Sequence, residues 1–117
     1  MARIRIKNLL LRTYIGFNPE ELVNKQDVII NYEIEADIPR TALEADEPLD
    51  IFDYKTITKK VIALVQDGRF KLLEVLTQKI LDLIMEDERV QWAKVEVDKP
   101  HALRFAQSVS LEMEARR

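Results

Sequence analysis

The stretch Val28-Ile29-Ile30-Asn31-Tyr32-Glu33-Ile34-Glu35-Ala36-Asp37-Ile38 decides the fold. Val28, Ile30, Tyr32, Ile34, Ala36 and Ile38 share one parity; Ile29, Asn31, Glu33, Glu35 and Asp37 share the other. A period of two sends these sets to opposite faces of a β-strand, and only the first set is built for burial. All of that set except Ala36 are strand-favouring types, and Pro39, which has no N–H for a ladder, stops the run.

Working outward toward the N-terminus, Arg3 to Ile15 reads as a second long strand with a defect. Ile4 and Ile6 share one parity, whereas Leu9, Leu11, Thr13 and Ile15 share the other. One extra residue inverts a period-two register, so the switch near Lys7-Asn8 predicts a bulge. Gly16 and Pro19 mark a turn, followed by a polar loop through Lys25. Toward the C-terminus, residues 40–52 form an acidic connection containing Pro48, and Asp53 then caps a helix carrying Ile57, Val61, Leu64 and Val65 at helical spacing. Gly68 ends it, and a second helix starts at about Leu72, with Leu73, Leu76, Ile80, Leu83 and Ile84 on one stripe. Alternation returns at Ala93, Val95 and Val97, breaks at Lys99-Pro100, and resumes at Val109, Leu111, Met113 and Ala115.

The order strand–strand–helix–helix–strand–strand, with one apolar face per strand, predicts an α+β fold. Its expected form is a four-stranded antiparallel sheet with two helices, between the second and third strands, packed on one face. Long unprotected edges invite another chain, and joining edges between subunits into a barrel removes them. A domain of this size also buries only about two-thirds of its unfolded surface, so assembly adds burial. A homo-oligomer is therefore expected.

The 117 residues fit one domain, 1–117, and 47% hydrophobic with 33% charged residues is ordinary for a globular protein. The absence of cysteine excludes disulfides, thiolate metal sites and cysteine nucleophiles. His101 is the single histidine, no H-E-x-x-H spacing occurs, and the two glycines, Gly16 and Gly68, make no phosphate loop. No metal and no cofactor are expected. A net charge of −3 disfavours nucleic acid as a partner. No apolar run reaches the roughly 18–20 residues of a membrane helix and no secretory segment opens the chain, so the expected location is cytoplasmic.

Several strings together resemble one family. Tyr14-Ile15-Gly16, Glu21, Gln26-Asp27-Val28, Asp53-Tyr54, Arg69-Phe70 with Leu72-Leu73-Glu74, and Trp92…Lys99-Pro100 follow, in order and separation, the dihydroneopterin aldolase/epimerase family. His101-Ala102-Leu103-Arg104-Phe105-Ala106 and Asp53-Tyr54-Lys55-Thr56-Ile57-Thr58 resemble its epimerase branch. Pro100 is an aldolase-like residue. The resemblance implies the tunnelling fold (T-fold), in which four subunits form a barrel and two rings stack into an octamer with intersubunit sites. The implied substrate is a small pterin, with epimerisation at C2′ of 7,8-dihydroneopterin triphosphate as the leading activity. Aldol cleavage of dihydroneopterin is one alternative, and a non-catalytic pterin- or purine-binding oligomer is another.

The resemblance also assigns residues, each of which has a plainer reading. Glu74 matches the pterin anchor, a carboxylate able to accept two parallel N–H bonds from the ring, with the Leu73 amide assisting; otherwise it is a first-turn glutamate complementing a helix dipole. Lys99 matches the proton-transfer residue; otherwise it is a surface lysine before a turn. Tyr54 matches the aromatic residue contributed by a neighbouring subunit, and Glu21 a group positioning the substrate hydroxyls or a water. Otherwise these are a helix-start tyrosine and an ordinary loop carboxylate. His101 and Arg104 follow Lys99 closely enough to hold a triphosphate, Lys55 being a further candidate.

Overall fold

The computed structural model of the chain describes residues 1–48 and 51–117. Its elements are β1 (Ala2–Ile15), α1 (Pro19–Val23), β2 (Gln26–Ala36), α2 (Arg40–Ala45), α3 (Tyr54–Gln66), β3 (Arg69–Phe70), α4 (Leu73–Met85), β4 (Val90–Pro100) and β5 (Ser108–Arg116). The α+β class and the four long strands agree with the sequence reading. The sheet, however, has five strands in the order β3-β1-β2-β4-β5, and it is mixed rather than antiparallel. The fifth is the two-residue β3, which runs parallel to Tyr14 and Ile15 at the end of β1. Two residues are too few to show periodicity. Among the described residues, four helices stand where two were expected: α1 lies in the supposed polar loop and α2 in the acidic connection, part of which (residues 49–50) falls outside the described residues.

The bulge lies where the parity switch puts it. Ile6 pairs with Tyr32 and Leu9 with Ile30, so Lys7 and Asn8 together face Asn31. Asn8 takes a positive φ of 55° and donates its N–H to Asn31 Oδ1 at 2.8 Å, which satisfies the amide that the bulge frees from the ladder. β2 stops at Ala36, so Asp37 and Ile38 leave the sheet earlier than the alternation implied. β4 extends through Pro100, pairing Lys99 with Val109, so the expected break follows the proline.

The helices α3 and α4 cover one face of the sheet. Val28, Ile30, Tyr32 and Ile34 of β2 and Ala93, Val95 and Val97 of β4 pack with Val61 and Val65 of α3 and Leu76, Ile80 and Ile84 of α4. Asp53 caps α3 as read, its carboxylate accepting the N–H groups of Lys55 and Thr56. At the other end of α3, buried Thr13 donates its hydroxyl to Val65 O at 2.6 Å, which fixes the helix C-terminus beside the end of β1. The opposite face of the sheet is charged: Arg3 and Arg5 pair with Glu35 and Glu33, and Arg3 covers the Trp92 ring at 4.7 Å.

Candidate active site

β1 ends where antiparallel β2 begins and β4 finishes, so Ile15, Gln26 and Lys99 meet at one end of the sheet. The β1–β2 connection returns across that end as α1. Asn18 caps this helix, its side chain accepting the Glu21 N–H at 2.9 Å while the Glu21 carboxylate accepts the Asn18 N–H at 3.4 Å. This reciprocal capping box turns Glu21 inward. Asn18-Pro19-x-Glu21 carries the cap, proline and acid spacing of a helix start, a signal that could have revealed α1 where the sequence reading placed a polar loop.

The inward carboxylate meets Lys99. Its Oε2 forms an ion pair with Lys99 Nζ, the two side chains being only 19% and 13% exposed. Gln26 donates Nε2–H to the same Oε2 at 3.3 Å and to Ile15 O at 2.8 Å. The Lys99 contact, with help from Gln26 and the Asn18 amide, outweighs burial and holds the Glu21 carboxyl below the usual carboxylate range. At rest, therefore, the site holds an ionised carboxylate against the lysine.

Two cavities flank the pair. One, of about 340 Å³, is lined by Asn18, Glu20, Glu21, Asn24, Gln26, His101 and Ala102. The other, of about 150 Å³, is lined by Tyr14, Gly16, Glu21, Leu22, Arg69, Phe70 and Lys71. Arg69 is set in that wall: its guanidinium stacks 3.8 Å from the Tyr14 ring centroid and donates to Leu22 O at 3.2 Å.

The expected residues thus divide. Lys99 and Glu21 are in direct contact, and His101 shares a cavity with Glu21. Glu74 is exposed in the first turn of α4 beside half-buried Leu73, and the N-cap, Leu72, gives that turn no side-chain bond. Because β3 pairs with the end of β1 and leads straight into α4, Glu74 starts near the Lys99 end. Tyr54 does not. The C-terminus of α3 is tied to Thr13 at that end, and a helix of 13 residues carries its first residue about 18 Å away. Arg104 is exposed and lies over the Phe105 ring at 5.3 Å. Asn18, Gln26 and Gly16 at the pair, and Arg69 beside it, had been given no site role from sequence.

Such a mixed sheet with helices on one face, and a largely buried lysine–carboxylate pair at one end, defines a small α+β domain. Residues 4–114 match the family described as dihydroneopterin aldolase (FolB), and the chain belongs to that family. It is 53% identical to the dihydroneopterin triphosphate 2′-epimerase of Pseudomonas aeruginosa, covering all of this chain and 94% of the relative. It is 49% identical to the Escherichia coli protein of the same name, covering 96% and 92% respectively. Among solved structures, E. coli dihydroneopterin aldolase in complex with neopterin superposes with a TM-score of 0.90 at 26% identity, covering 98% of this chain and 99% of that one.

Proposed function

We propose that this protein epimerises C2′ of 7,8-dihydroneopterin triphosphate, giving dihydromonapterin triphosphate by retro-aldol cleavage and re-addition. The observation that carries the reading is the identity pattern: about half of all residues shared with two epimerases, against about a quarter with the aldolase of known structure.

In this reading the 2′-hydroxyl proton is removed, C1′–C2′ breaks, and the bonding electrons enter the N5=C6 imine as an enamine. The pterin ring is its own electron sink, so no cofactor is required for that step. C2′ becomes a planar aldehyde carbon, and attack by C1′ on its other face inverts the centre. The ionised Glu21 beside Lys99 supports a paired acid and base at the reacting carbons. Glu74 and the Leu73 amide anchor the ring, a role supported by the exposed position of Glu74 in an α4 first turn without a side-chain cap. His101 and Arg104 hold the triphosphate end; retaining the cleaved fragment raises the effective molarity of re-addition.

Tyr54 reaches this site from a neighbouring subunit of a closed homo-octamer. The distance of about 18 Å along α3 supports a partner's tyrosine rather than the chain's own. Light scattering is expected to give an octamer, and a monomer at micromolar concentration would sink the shared site. A cytoplasmic location belongs to the same reading; among the described residues no helix is long and apolar enough to cross a membrane.

The direct test is incubation with dihydroneopterin and with its triphosphate separately, followed by chromatography resolving neopterin, monapterin and hydroxymethylpterin. Monapterin from the triphosphate is the expected product. Lys99-Pro100, the aldolase-like pair, favours a second reading in which C1′ is protonated before re-addition. Hydroxymethyl-dihydropterin and glycolaldehyde as the main products would establish that reading instead.

A further inference from the structure

We infer that Gln26 and Gly16 are positioning residues that fix the Glu21 carboxylate against Lys99, so that the geometry of the pair is set by the strand ends rather than by the two charged side chains. The inference rests on the proton-transfer role proposed for Lys99.

A glutamate and a lysine left to themselves have many rotamers, and holding both in one geometry costs side-chain entropy. Here the carboxylate has three donors from three places in the chain: Lys99 Nζ from β4, the Asn18 N–H from the start of α1, and Gln26 Nε2–H from the first residue of β2. Gln26 differs from the other two because its one amide nitrogen serves two acceptors. One proton goes to Oε2 of Glu21 at 3.3 Å and the other to Ile15 O at 2.8 Å. Ile15 is itself fixed: it ends β1, is buried, and pairs with Phe70. The amide therefore links the carboxylate to the rigid sheet.

Gly16 supplies the space. The carboxylate lies where a side chain at position 16 would start, and a Cβ there would collide with the Glu21 carboxyl carbon and both its oxygens. The residue also has φ +119°, which L side chains rarely adopt, and its N–H is committed to Phe70 O at 2.9 Å, so the backbone is not free to retreat. The requirement for glycine is thus set twice, by conformation and by the acid packed against it.

The decisive variant is Gln26→Met, which keeps the length of the side chain and removes both donors. Two readouts are taken on the assembled protein: kcat and KM for the triphosphate substrate, and the rate at which Lys99 alone is acylated by acetic anhydride at fixed pH, followed by peptide mass spectrometry. We expect kcat to fall by up to about 10²-fold, as small misplacements of reacting groups do, with KM changed far less. We expect Lys99 acylation to accelerate as its ion pair loosens. Gly16→Ala should move both readouts the same way, but it also strains the backbone, so the decision rests on Gln26→Met. Wild-type kcat, or a loss of kcat with Lys99 acylated at the wild-type rate, overturns the inference. Failure of the underlying reading looks different: Lys99→Met would then retain turnover, while the acylation rate in Gln26→Met still reports whether the amide holds the pair.

Discussion

Lys99 and Glu21 are largely closed in by their own chain: paired, mostly covered, and braced by Gln26 and the α1 cap. Tyr54 and Glu74, at the starts of α3 and α4, are exposed, and among the described residues no side-chain hydrogen bond or ion pair engages either. A buried charge needs a partner at once, because an unpaired one is costly. An exposed one loses nothing by waiting in water. On the proposed function, the contrast teaches that one half of the site is preorganised within the chain, whereas the other half is left for the substrate and a neighbouring copy.

The sharpest way to break that contrast is Lys99→Ala. General acid–base catalysis contributes about 10²–10⁴-fold, so kcat should fall by that order while neopterin binding changes little. Steady-state kinetics with a calorimetric titration separates the two, and near-wild-type turnover removes Lys99 from the chemistry. A mixing experiment sharpens the other half. Lys99→Ala and Tyr54→Ala chains, each inactive alone, should regain activity when refolded together, because some interfaces then combine an intact Lys99 with an intact Tyr54. Mixed oligomers seen by native mass spectrometry without recovered turnover would put both residues in separate roles.

Glu74→Gln should leave the fold intact and weaken neopterin binding by a few kcal/mol, the usual loss for a charge-assisted bidentate contact. Unchanged affinity by calorimetry would move the anchor elsewhere. A smaller effect concerns pH. Because the folded-state pKa of Glu21 lies below its unfolded value, near 4.3, its stabilisation is complete above that value and is lost as pH falls through the folded one. The gap in thermal midpoint between wild type and Glu21→Gln should therefore be widest near neutrality and close in acid. A gap independent of pH would show that the ionised carboxylate is not what stabilises this corner. The smallest expected change is that of Arg104→Ala, whose exposed guanidinium rests on Phe105. It should slow the triphosphate substrate, hardly affect dihydroneopterin, and raise the share of hydroxymethyl product. Equal losses on both substrates with an unchanged product ratio would leave Arg104 a surface residue.

Periodicity made the four long strands, the bulge at Lys7-Asn8, the Asp53 cap and both long helices legible, because each repeats or punctuates a pattern over many residues. β3, α1 and α2 were not found, since two to six residues cannot outweigh their neighbours. Resemblance singled out Glu21 and Lys99, 78 positions apart, but nothing in their spacing says that they touch.

The sequence by itself determined which residues face the core, where β1 bends, and the family to which the chain belongs. Only the tertiary structure decided that Glu21 meets Lys99, that Gln26 ties Glu21 to the end of β1, and that Tyr54 starts at the far end of α3. The reason is physical: facing and capping are local consequences of backbone geometry, whereas contacts between distant residues exist only once strand order and helix length have brought their ends together.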